Sequence, residues 1–235
     1  MSESVHAVLF DFSGTLMRAE PAERWVATVL ADAGITLPET EVRTWAIRLE
    51  QAGGLPGGRA PQLLPDQLQS AWEQRDLEPA AHYAAYTGLM THAGWKWPEL
   101  TDALYQRSTH PHAWDPYPDA HSTLAALAAR GIRTAVISNI GWDPRPVLKA
   151  HALADLLDEV VLSYEEGRCK PDPALFITAC IRLNVHPRHT LMVGDSRPAD
   201  GGAETAGIRT FYVDPLPVQD RPDGFTPALL EAGIE

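Results

Sequence analysis

The chain opens on an apolar run with β-forming residues, Val5-His6-Ala7-Val8-Leu9-Phe10, which stops at Asp11-Phe12-Ser13-Gly14-Thr15. A continuous apolar run ending in such residues predicts a buried strand that runs into a tight turn. The pattern then changes. From about Pro21 to Ser108 apolar residues recur at helical spacing (Trp25, Val26, Val29 and Leu30, then Val42, Trp45, Ala46 and Leu49), and a Gly/Pro-rich connector fills 52–65. Further helices are predicted at Asp66–Asp76, Pro79–His92 and Pro98–Arg107, each opened by Pro or Asp. This stretch reads as about five helices and no strand. After Trp114 the chain alternates: helix Asp119–Arg130, strand Thr134–Ile137, helix Pro144–Ala152, strand Val160–Leu162, helix Pro173–Leu183, strand Thr190–Val193, helix Pro198–Ala206 and strand Thr210–Val213. Alternation with apolar strands predicts an α/β fold with a doubly wound parallel sheet. The strand at 5–10 joins that sheet, so residues 1–16 and 114–235 form one α/β domain and 17–113 an all-helical insertion.

Composition narrows the partners. The 235 residues carry a formal charge of −12, and a surface this acidic repels nucleic acid and anionic membranes. No apolar stretch reaches the ~20 residues of a membrane span. Two cysteines, Cys169 and Cys180, supply neither a disulfide framework nor a structural zinc site, which fits a reducing cytoplasm. Only Lys96, Lys149 and Lys170 are lysines, so a lysine inside a motif stands out.

In open parallel sheets ligands bind beyond the carboxyl ends of the strands. The polar residues at those positions are Asp11, Ser138-Asn139, Lys170 and Gly194-Asp195-Ser196, with Asp200 shortly after. Carboxylates, a hydroxyl and one lysine converging on one crevice suit a divalent cation held together with a phosphoryl group.

With DFSGTL at 11–16, VISN at 136–139, KPDPALF at 170–176 and VGDSRPAD at 193–200, in that order, the sequence resembles the haloacid dehalogenase-like hydrolases. It is similar to the branch whose helical cap follows the first motif. The resemblance implies a Rossmann-like core, the cap, and Asp11 as a nucleophile that becomes an aspartyl-phosphate. It implies Mg²⁺ held by Asp11, the backbone carbonyl of Ser13, Asp195 and Asp200. Ser138, Asn139 and Lys170 would bind the phosphoryl group, together with the Ser13-Gly14-Thr15 turn. Ser138 and Lys170 would assist catalysis, with Lys170 neutralising charge on both Asp11 and the phosphate.

One position departs from the family's phosphatases, which place a second aspartate two residues after the nucleophile as acid and base. Here Ser13 stands in its place. General acid–base help is worth ~10²–10⁴-fold. The expected activity is therefore Mg²⁺-dependent hydrolysis of a small phosphorylated metabolite, by a cytoplasmic monomer or homodimer, without the usual general acid. The alternatives are a 2-haloacid dehalogenase, a phosphonate hydrolase, or a phosphate-compound binding protein with weakened catalysis. Should Ser13 not be the whole story, Glu20, Glu23 or His112 are the candidate proton donors from the insertion.

Overall fold

The computed structural model describes residues 4–231 and 233–234. The chain runs β1 (Ala7–Phe10), β2 (Met17–Ala19), α1 (Ala22–Asp32), α2 (Glu39–Ala52), α3 (Gln69–Gln74), α4 (Pro79–His92), α5 (Thr101–Gln106), β3 (Trp114–Pro116), α6 (Ala120–Ala129) and β4 (Arg133–Ser138). It continues α7 (Arg145–Ala150), β5 (Glu159–Leu162), α8 (Ser163–Glu166), α9 (Pro173–Leu183), β6 (Thr190–Gly194), α10 (Arg197–Asp200), α11 (Gly202–Thr205), β7 (Arg209–Tyr212) and α12 (Thr226–Glu231). Two compact units result, 1–18 with 115–235, and 19–114.

The first unit is built on a five-stranded sheet of order β5-β4-β1-β6-β7 whose neighbouring strands are all parallel. Its central strand is apolar throughout because both of its faces are covered: every residue of β1 is buried. Leu9, Ile137, Val161 and Met192 pack against Leu175, Phe176, Ala179 and Leu183 of α9. That helix is well punctuated. Asp172 accepts a hydrogen bond from the Ala174 N–H (2.9 Å), Pro173 opens the first turn, and Asn184 closes it in the left-handed region. Phe10 pairs with Val136 on one side and Val193 on the other, so the strands end within two residues of one another and the residues after them share one edge of the sheet.

The second unit is a helical cluster. Trp25, Val26, Val29 and Leu30 of α1 enter a core with Leu49, Tyr86, Met90 and Leu104, and the Trp25 indole donates to the Leu104 carbonyl (2.9 Å). Glu20 is buried and ion-paired to Arg107 (2.6 Å) and Arg24 (2.7 Å).

Two corrections to the sequence reading follow. The insertion expected to be all-helical over 17–113 begins with a short strand, β2, which pairs with β3 as a two-stranded ribbon, while 21–108 holds no strand among the described residues, as expected. Three-residue strands are too short to show a period. The single helix expected at 198–206 is two short helices, α10 and α11, interrupted at Gly201. Glycine lowers helix propensity by ~1 kcal/mol, and two adjoin here.

Within the helical unit, His82 is 3% exposed, bonded through Nδ1 to the Tyr105 hydroxyl (2.7 Å) and tilted against Tyr86. Burial, and then Arg75, lower its pKa from 6.5 to about 4. Between these values the unfolded chain binds a proton that the folded one refuses, so stability falls as pH drops from 6.5 towards 4 and then levels. The loss should be about 3 kcal/mol. Denaturant unfolding followed by tryptophan fluorescence checks it, since six of the seven tryptophans lie in 19–114. His82→Gln should remove that component of the pH slope; an unchanged slope would mean that another group titrates.

Candidate active site

Lys170 organises the edge where the strands end. Its Nζ lies 2.6 Å from Asp11 Oδ1 and 2.7 Å from Asp200 Oδ1, with all three side chains buried or nearly so. The fold holds the lysine from both ends. At its backbone, Asn139 forms a closed pair with the Lys170 peptide: the amide donates to the Lys170 carbonyl (2.9 Å) and the side-chain oxygen accepts from the Lys170 N–H (2.7 Å). At its head, the second oxygen of Asp200 accepts from the Ser196 N–H (2.9 Å), which fixes the carboxylate that grips the ammonium. Gly194 is needed here, because a β-carbon at that position would fall inside the Asp200 carboxylate.

Asp11 sits directly after β1, its N–H bonded to the Val193 carbonyl (2.9 Å). The turn behind it is tight. Leu16 and Met17 N–H both donate to the Phe12 carbonyl (3.1 and 2.9 Å), and Gly14 N–H donates to the Met17 carbonyl (2.7 Å). Gly14 has φ +86°, and a β-carbon there would lie 2.5 Å from Asp195 Oδ2, so this turn requires glycine on both counts.

Three carboxylates against one ammonium leave two negative charges uncompensated, and the acidities follow. Burial raises the Asp11 pKa from 3.8 to about 7; Lys170 opposes this, while Asp200 and Asp195 add to it. Asp195 is raised by burial and then by Asp200. For Lys170 burial works against the charge, but Asp11 and Asp200 outweigh it and hold the ammonium above its usual value.

This geometry gives several of the expected site residues further partners. Asp200, expected to hold a metal directly or through water, accepts from Lys170 at Oδ1 and from the Ser196 N–H at Oδ2, so it also orients the lysine. Asn139, expected to bind the phosphoryl group, gives its side-chain oxygen and one N–H to the Lys170 peptide and keeps its second N–H. Ser138 is buried at the end of β4, with its hydroxyl free of hydrogen bonds among the described residues. Ser13 is half-buried, and the Thr15 hydroxyl is buried without a partner among the described residues. In the helical unit Glu20 is committed to two arginines and Glu23 pairs with Arg43 (3.0 Å), so neither is a ready acid.

The donors suit Mg²⁺ more narrowly than expected. Among the described residues no group of three or more His, Cys, Asp or Glu is arranged to hold a metal ion. Mg²⁺ commonly takes one or two carboxylates and fills its octahedron with water and substrate phosphate. Asp11 and Asp195 would supply such a pair of carboxylates, and a divalent cation would match the uncompensated charge.

A family model described as haloacid dehalogenase-like hydrolase matches residues 5–207. The chain belongs to that family. Among relatives of this hydrolase, phosphoglycolate phosphatase from Rhodospirillum rubrum is 38% identical over 213 residues, covering 86% of this chain and 76% of the relative. (S)-2-haloacid dehalogenase 1 from Pseudomonas sp. (strain CBS-3) is 33% identical over 162 residues, covering 63% of this chain and 71% of the relative. Several other relatives are matched over about half their length. In fold, the hydrolase resembles the HAD-hydrolase YfnB from Bacillus subtilis, solved bound to magnesium, with a TM-score of 0.68 over 99% of this chain and all of that one, at 17% identity. Phosphatases and dehalogenases thus both stand among its relatives, and the site must discriminate between them. Among the described residues no helix is long and apolar enough to cross a membrane.

One residue of this site gave no signal in the sequence reading. Arg221, from the segment after β7, donates to the carbonyls of Gly14 (2.9 Å) and Thr15.

Proposed function

We propose that this hydrolase is a Mg²⁺-dependent phosphohydrolase that acts on a small phosphorylated metabolite through phospho-Asp11, with no acid at position 13 to assist the leaving group. The observation that carries this reading is the charge of the site. Asp195 stands beside Asp11 with no ion pair to a cationic side chain among the described residues, an arrangement that a metal-free reaction on a haloacid has no use for. The identity with a phosphoglycolate phosphatase over 86% of the chain supports it.

In this scheme Lys170 holds Asp11 Oδ1, which directs the other carboxylate oxygen at phosphorus. A bond forms from that oxygen to phosphorus as the bond to the leaving oxygen breaks, and the leaving group departs as its anion. Water then attacks the phosphoryl group, releasing inorganic phosphate and restoring the carboxylate. Ser138 donates to a phosphoryl oxygen, and Asn139 and Asp200 keep Lys170 placed, since phosphoryl transfer is mostly positioning and charge stabilisation. Bound to Asp11, Asp195 and the Ser13 carbonyl, Mg²⁺ would offset charge on the phosphoryl oxygens. A cytoplasmic setting is supported by the two free thiols.

The second reading is 2-haloacid dehalogenation, favoured by the 33% identity with the Pseudomonas enzyme. A panel of alkyl, aryl and acyl phosphates and 2-haloacids, each assayed with Mg²⁺ and with excess chelator, separates the two. Phosphate release that falls at least ~100-fold in chelator is expected. Halide release indifferent to chelator would install the dehalogenase instead, and stoichiometric binding without turnover would leave only a binding protein.

A further inference from the structure

We propose that Arg221 is a positioning residue for the reaction, holding the turn that presents Asp11 by satisfying two of the carbonyl groups, those of Gly14 and Thr15, that the turn itself leaves unpaired. The proposal rests on Asp11 being the nucleophile.

The turn accounts for its own backbone incompletely. The Phe12 carbonyl takes two N–H groups and the Met17 carbonyl takes one, but no backbone N–H among the described residues reaches the carbonyls of Gly14 or Thr15. Buried carbonyls without partners cost free energy, and here both are served by one guanidinium from 206 and 207 residues further along. The planar fork of arginine suits two adjacent acceptors in a way that a single ammonium does not.

Arg221 is itself held on every side. It is 5% exposed, and its guanidinium lies 3.1 Å from the centroid of the Tyr117 ring. The Tyr117 hydroxyl donates to the Leu216 carbonyl (2.7 Å), and Asp119 Oδ2 accepts from the N–H groups of Gly224 (2.7 Å) and Phe225 (2.8 Å). The Phe225 ring meets Phe10 edge-on at 5.4 Å, one residue before the nucleophile. The segment 214–225 therefore straps the C-terminal part of the core onto the start of the active-site turn. Arginine is a costly choice for mere packing. Its hydrogen bonds go to carbonyl oxygens rather than a carboxylate, and its Nε has no partner among the described residues. A buried methionine or leucine would fill the same space without that desolvation cost. What an apolar side chain could not do is fix the peptides on the C-terminal side of Ser13.

Arg221→Met keeps the stem and removes the fork. Hydrogen exchange of residues 12–17 should accelerate at least ~10-fold, with 133–138 and 190–194 unchanged. For the best phosphate substrate kcat should fall on the order of 10²-fold with little change in KM, as expected when the nucleophile is displaced without loss of substrate contacts. Arg221→Lys should recover part of both. Gly224→Ala tests the same point with the charge kept, because its β-carbon would lie 2.8 Å from Arg221 Nε and push the side chain aside; it carries the comparison if Arg221→Met does not fold. Unchanged exchange at 12–17, or exchange that rises equally in the sheet, overturns the proposal. The exchange result stands even if no phosphate ester is hydrolysed, so failure of the phosphohydrolase reading is seen separately in the wild-type assays.

Discussion

Asp11→Asn is expected to abolish turnover while leaving a folded protein. The carboxamide has nearly the volume of the carboxylate, and with its oxygen towards Lys170 it preserves one contact of that lysine; the ion pair with Asp200 remains. It cannot attack phosphorus, and it removes one of the charges that call for a cation. Loss of a nucleophile of this kind costs on the order of 10⁶-fold in kcat, leaving a residue of catalysis from the rest of the site. Phosphate release and thermal unfolding measured on the same preparation check both halves. Turnover within tenfold of wild type would remove Asp11 from the chemistry, and with it the interpretation of Lys170 as its partner.

The second large effect concerns leaving groups. Without an acid at position 13, wild type should hydrolyse acyl and aryl phosphates well and alkyl phosphates poorly, because an alkoxide leaves badly unprotonated. Ser13→Asp should raise alkyl-phosphate turnover by ~10²–10⁴-fold and affect aryl substrates far less. The substitution suits the structure. The Ser13 hydroxyl makes no hydrogen bond among the described residues, and the turn is held by backbone bonds on either side, so the backbone carbonyl keeps its place. Rates for a series of phosphates of graded leaving-group acidity give the slope directly. A shallow slope in wild type, with no gain from Ser13→Asp, would mean that some other group delivers the proton.

The central strands were legible because they are buried on both faces and read as largely apolar runs; β1 and β6 show this plainly. Helix α9 was legible from Asp172-Pro173 at one end and the loss of period at the other. The site residues at the strand ends could be collected for the same reason: a parallel sheet puts the residue after each strand on one edge. What the sequence concealed was the traffic among them. Nothing about Asn139 distinguishes an amide that binds substrate from one that pins a peptide 31 residues on, because that depends on which loop folds back. Arg221 was harder still. Its contacts are to backbone carbonyls, which every residue carries, so no partner type at Gly14 or Thr15 points to it.

The sheet's central strand has a consequence for how the molecule is made. Ala7 pairs with Arg133 and with Thr190, so β1 emerges from the ribosome more than a hundred residues before its first partner and longer before its second. The apolar tetrapeptide Ala-Val-Leu-Phe must wait unpaired through synthesis of the whole helical unit, with both edges open. Pairing at such sequence separation pays a large loop-closure entropy and is slow. Exposed apolar strands are also the segments by which nascent chains associate wrongly. The arrangement that places the nucleophile at the centre of the finished sheet makes its strand the one most dependent on protection during synthesis.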